Sequence, residues 1–139
     1  MATYNTFRAF VEHTAEKVHN LGSDQLVVAL CAAANAPVNT NSVLADLTQI
    51  SYTNLSSRNL TTASSAQSAG TYTLDLNDLT LTASGGSVAT FRYVVIYNDT
   101  PTSPADPLIC WFDYGSDVTL ASGESLTITF NASGLLTIA

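Results

Sequence analysis

The sequence predicts an all-β protein: an antiparallel β-sandwich of about eight strands with at most one short helix, in one domain over residues 1–139. Three observations carry this. From Val88 to Ala139, apolar and polar residues alternate, and Gly, Pro, Asn and Asp interrupt them at short intervals, as in strands joined by tight turns. Turn signals recur at the roughly 8–12-residue spacing of a sandwich or barrel. No strand–helix–strand pattern occurs, so a parallel sheet is not expected.

Along the chain, residues 3–12 place Tyr4, Phe7 and Phe10 at spacing three, which does not separate helix from strand. These large residues have no clear place in the sandwich, so residues 1–12 are read as an N-terminal arm. Residues 14–17 read as a turn or a single helical turn, and residues 20–24 as a loop around Gly22. The run QLVVALCA (25–32) is almost wholly apolar and predicts a strand buried on both faces. Ala36-Pro37 opens an irregular stretch, because proline has no N–H and biases the preceding residue away from helix. Asn41 or Ser42 is placed to cap a short helix over 43–50, where Val43, Leu47 and Ile50 share a face.

Residues 52–69 are rich in Ser, Thr, Asn, Ala and Gln and read as the most loop-like and mobile part. After Gly70 the alternation begins. Tyr72, Leu74 and Leu76 share one face, Asn77-Asp78 turns the chain, and Leu79 and Leu81 follow. Residues 88–97 read as the longest strand, partly apolar on both faces and therefore central. Pro101, Pro104 and Pro107 mark a rigid surface excursion. Strands are then expected over 108–114, 118–120, 126–130 and 135–138. Gly115-Ser116 and Ser122-Gly123 are turns, and residues 131–134 a hairpin loop.

Charge narrows the function. Only 11% of residues are charged, against about a quarter in a typical domain, and the net charge is −7. The four bases, Arg8, Lys17, Arg58 and Arg92, are scattered, so no nucleic-acid or membrane-surface partner is expected. A surface of hydroxyls and amides is desolvated at lower cost than one of ions, which suits contact with other proteins. The start of the chain has no basic segment followed by an apolar one, so synthesis in a cytoplasm is expected.

Chemistry is sparse. His13 and His19 fit neither helical nor strand spacing for a metal pair and read as surface or loop residues. Cys31 and Cys110 read as buried, reduced residues unless their strands meet. Asp75 with Asp78, and Asp113 with Asp117, are carboxylate pairs at strand ends, where Asp commonly forms turns. No cofactor, metal or catalytic residue is expected. Trp111, Phe112, Tyr114, Tyr93 and Tyr97 form either a core cluster or an aromatic platform for sugar or protein.

The string from His19 to Asp24, followed by QLVVAL and Ala36-Pro37-Val38, resembles small virion proteins of tailed phages. So do VLADLT (43–48), TASGG (82–86), FRYV (91–94), PLI (107–109), DYGS (113–116) and Gly123-Glu124, in that order. The run of residues 32–35 departs from the pattern. The resemblance implies a jelly-roll-like sandwich acting as a homodimer or homotrimer. It also implies a non-enzymatic head cement (decoration) protein, which binds the outer capsid surface and clamps neighbouring major capsid subunits. A tail or fibre component and a virion-surface carbohydrate-binding module are the alternatives. Expected capsid contacts are Tyr4, Phe7, Arg8 and Phe10 on the arm, with Tyr52 and Arg58 on the following irregular segment.

Overall fold

A computed structural model describes residues 2–139. The chain is a sandwich of antiparallel strands with one helix, in the order β1 (Thr3–Thr6), α1 (Ala9–Ala15), β2 (Leu26–Cys31), β3 (Thr62–Ser68), β4 (Thr71–Leu76), β5 (Leu79–Thr82), β6 (Phe91–Asn98), β7 (Leu108–Val118), β8 (Ser125–Ile128) and β9 (Leu136–Ile138). One layer is a four-stranded sheet, β1-β7-β6-β2. A three-stranded sheet, β3-β4-β9, and a two-stranded one, β5-β8, supply the rest.

The four-stranded sheet is buried on both faces. Leu26, Val28 and Leu30 of β2 join Val94, Ile96, Ile109 and Cys110 in the main core, against Leu74, Leu76, Leu81, Leu120 and Phe130. Val27, Ala29 and Cys31 point the other way, into a second cluster with Phe7, Val95, Tyr97, Leu108 and Trp111. Leu44 and Leu47 pack over that cluster. The expectation for residues 25–32 therefore holds: every residue of β2 is buried. Cys31 and Cys110 are buried and unbridged, and they belong to cores on opposite faces of the sheet. Burial pushes the Cys31 thiol up to about 11 and the Cys110 thiol up to about 12.

Several expectations are corrected. Of the expected arm, Met1 lies outside the described residues and residues 2–12 are not free. β1 pairs with β7 from Thr3↔Asp113 to Thr6↔Cys110, Phe7 is fully buried, and Phe10 is in the main core. Residues 43–50 contain only a single 3-10 turn, Leu44–Asp46, rather than a helix. Asp46 accepts from the Ser42 and Val43 amides and holds that turn closed; these bonds keep its carboxyl below the usual range. The stretch 62–68 is strand β3, not loop: it pairs with β4, which shields one of its edges.

Strand β7, not the strand over 88–97, is the longest. It runs through Gly115-Ser116 without a turn, because its register against β6 shifts: Phe91 pairs with Val118, but Tyr93 with Asp113. The same irregularity turns Phe91 to the side of Val94 and Ile96, away from Tyr93, Val95 and Tyr97. Residues 131–134 do not close a hairpin, since β8 pairs with β5 and β9 with β4. Gly134, at φ 99°, makes that crossing so tight that a Cβ there would lie 2.9 Å from the Leu74 carbonyl oxygen.

Candidate functional site: an apolar groove at the open side of the sandwich

The two layers part where β1 and β7 face β8 and the crossing that follows it. This leaves a groove of about 490 Å³. Its floor is Val94 and Phe112; one wall carries Tyr4 and Tyr114, the other Leu126, Ile128, Phe130 and Leu135. Along β8, Leu126 and Ile128 are half-buried and Thr127 is exposed, and the groove is bordered by the whole run from Leu126 to Asn131, Thr127 and Thr129 included.

Tyr4 sits on β1 opposite Phe112 of β7, and their rings meet edge to face at 5.4 Å between centroids. Burial and the neighbouring Cys110 thiol push the Tyr4 hydroxyl up to about 12. Tyr114 is placed by the irregularity in β7. Asp113 pairs with Arg92 through two bonds of 2.8 and 3.1 Å and also accepts from the Gly115 amide. Gly115 takes φ 94°, and Tyr114 stands at the groove mouth with 48% of its surface exposed. Tyr4 is 40% exposed. Tyr4 is on β1, whose outer edge no other strand covers among the described residues, and Tyr114 is on β7 just past the end of the β1 pairing at Thr3↔Asp113. The lining supplies shape, apolar area and two phenols. That is the chemistry of a binding surface.

The expected contact residues are dispersed. Tyr4 lines the groove and Arg8 is exposed. Phe7 and Phe10 are interior, so neither is offered to a partner. Tyr52 and Arg58 lie on the far side of the molecule's main sheet, along β2, where their bonds are internal. The Tyr52 hydroxyl accepts from the Leu30 amide at 3.0 Å and donates to Gln49 Oε1 at 2.6 Å. Arg58 stacks on the Tyr52 ring at 3.6 Å and donates to the Val28 carbonyl. Trp111 is buried and packs on Phe7 at 4.5 Å between centroids, which removes it as a sugar platform. Tyr114, named with the aromatic cluster, lines the groove, while Leu126 and Ile128 carry no sequence signal as site residues. Alternation shows which residues share a face, but not where two layers part.

The histidines are closer to one another than their spacing suggests, with ring centroids 6.0 Å apart. Asn98, fully buried, donates from Nδ2 to Asp24 Oδ2 at 2.7 Å and to His19 Nδ1 at 3.1 Å. Burial, then the neighbouring His13, lowers the His19 pKa to about 4. Among the described residues no three or more His, Cys, Asp or Glu side chains gather to hold a metal. Asp78, one of the expected carboxylate pairs, accepts from the Phe130 amide at 3.0 Å and so ties the chain after β4 to the chain after β8. No helix among the described residues is long and apolar enough to cross a membrane.

No protein-family model, curated protein or solved structure matches this chain.

Proposed function

We propose that this chain is a structural protein of a tailed-phage virion: a cement protein that binds the outer surface of the capsid and clamps neighbouring major capsid subunits. The observation that carries the reading is the apolar groove beside the uncovered edge of β1, with Tyr4 and Tyr114 exposed at its mouth. An extended segment of a capsid subunit suits such a place. Its backbone pairs along β1, and alternate side chains enter the groove. Low charge density keeps the desolvation of the surrounding surface inexpensive. The net charge of −7 suits a position outside the shell, away from packaged DNA. The ordered likeness to small phage virion proteins supplies the partner class. Single contacts of this size are weak, and simultaneous engagement of several subunits raises their combined affinity.

The test is co-sedimentation of the purified chain with expanded capsid shells that lack it. Replacing both Tyr4 and Tyr114 with Ser is expected to weaken binding by about tenfold or more, the loss of about 1.4 kcal/mol or more at an aromatic hot spot. Circular dichroism confirms that the variant is folded. Undiminished binding by the folded double variant would overturn the groove as the contact.

A further inference from the structure

Strand β3 is the outermost strand of its sheet; Gly22 lies against the Ser65 side chain, but among the described residues no strand or backbone hydrogen bond reaches its free edge. Natural edge strands carry charges, prolines or strong bulges, or are covered by a loop, because unpaired N–H and C=O groups otherwise recruit another strand. Here no residue from Asn59 to Leu74 is charged, and none is proline. The register shift lies at the start of the strand, between Thr62 and Ser64, so Ser64 to Ser68 pair regularly with β4. Five of the seven residues are exposed, and all are small or amide-bearing. The strand is held ready by a tight turn at Ala69 and Gly70, both at positive φ, closed by a bond from the Gly70 amide to Gln67 Oε1.

The edges of β2 and β5 are treated differently, while that of β1 is short. β2 is covered by the chain between Ile50 and Leu60. The outer side of β5 is covered at Ser56, whose amide donates to the Thr82 carbonyl and whose hydroxyl accepts from the Thr82 amide. β3 is left with a long neutral edge in a chain of net charge −7.

We infer that β3 pairs with β3 of a second copy of this chain, antiparallel about a two-fold axis, to join two three-stranded sheets into one. The charge pattern favours a second copy over another partner. A two-fold pairing brings the same strand against itself, so any net charge on β3 would repel its copy, and β3 has none. Centring the axis on Ala66 sets Ala66 against Ala66, Ser65 against Gln67 and Ser64 against Ser68. Every facing pair is small or able to share a hydrogen bond. Ser65 is already oriented by its bond to the Tyr72 hydroxyl, 2.8 Å. Two acidic copies repel at long range, so salt should strengthen this association by screening; an ion-paired interface would weaken instead.

The inference stands apart from the capsid reading, since it concerns the chain alone. Sedimentation velocity of the purified protein over rising concentration and at two salt levels tests it. A reversible dimer that tightens with salt is expected. Ala66→Lys should shift the dimer to monomer while the melting temperature stays unchanged, and Thr3→Lys on the β1 edge should leave the dimer intact. A chain that stays monomeric up to its solubility limit would overturn the inference. So would a trimer, a dimer that survives Ala66→Lys, or one that Thr3→Lys abolishes. If Ala66→Lys instead removes capsid binding from a monomeric chain, β3 belongs to the capsid contact and self-pairing is wrong.

Discussion

β2 and β3 are both outermost strands, and they are finished in opposite ways. β2 is wholly buried, and the segment from Ile50 to Leu60 runs along it. The Ile50 amide donates to the Leu30 carbonyl, Val28 to that of Arg58, and Leu60 to that of Leu26, while the Tyr52 hydroxyl accepts from Leu30. β3 has only β4 as a strand neighbour, and five of its seven residues are exposed. The difference separates two uses of irregular polar sequence. Residues 52–60 complete a core strand, although they read as a mobile loop. Residues 62–68, from the same polar stretch, form an edge open to a partner.

The contrast implies that changes on the covered side lower stability, and changes on the bare side leave it alone. Among single substitutions, the largest expected loss is at Phe7, which fills the second core against Trp111. Phe7→Ala should destabilise the fold by about 3–5 kcal/mol, read as a lower urea midpoint. Removing residues 1–12 should unfold the protein, because it deletes β1, Phe7 and Phe10 together. A folded, stable truncation would return these residues to the role of an arm.

Arg58→Ala should lower stability by about 1–3 kcal/mol. It leaves the buried Val28 carbonyl short of a donor and uncovers Tyr52. A change within about 0.5 kcal/mol, the range of ordinary surface substitutions, would show that the cover over β2 contributes nothing. Ala66→Lys on β3 is the matching control and should stay within that range.

The smallest expected effect is on pH. His19 is held neutral in the fold, with its pKa lowered from 6.5 to about 4, so the unfolded chain binds the proton more readily. Its contribution is fully present above about pH 6.5 and is lost as pH falls towards 4. Protonation at Nδ1 would also set two donors face to face with Asn98 Nδ2, while Asp24 opposes the shift. After discounting for partial exposure, the loss is about 1–2 kcal/mol across that window. Urea titrations at pH 7 and pH 4.5 should show it, and His19→Asn should flatten it. An unchanged pH slope in that variant would assign the acid sensitivity elsewhere.

What the sequence disclosed follows the same division. β2 and β6 were legible because burial on both faces leaves a long apolar run, and β8 because one face is apolar. β3 was not, since Thr-Ala-Ser-Ser-Ala-Gln-Ser carries no apolar alternation; its strand state comes from β4 beside it. Helix α1 stayed open between helix and strand in the sequence, where Lys17, rather than glycine, takes the left-handed position that ends it, with Val18 donating back to the His13 carbonyl. β7 was legible over 108–114, but its continuation to Val118 lay behind Gly115, which signals a turn and here serves a register shift. The groove was illegible for a different reason. Tyr4, Phe112 and Ile128 are far apart in the chain, and only the packing of the layers brings them together.

The proposal that this chain is a capsid cement protein fixes how many copies a virion should hold. The chain's copy number per virion, measured by quantitative mass spectrometry of purified particles against the major capsid protein, tests that proposal most directly. A number comparable to that of the capsid protein is expected; a handful of copies, or none, would contradict it.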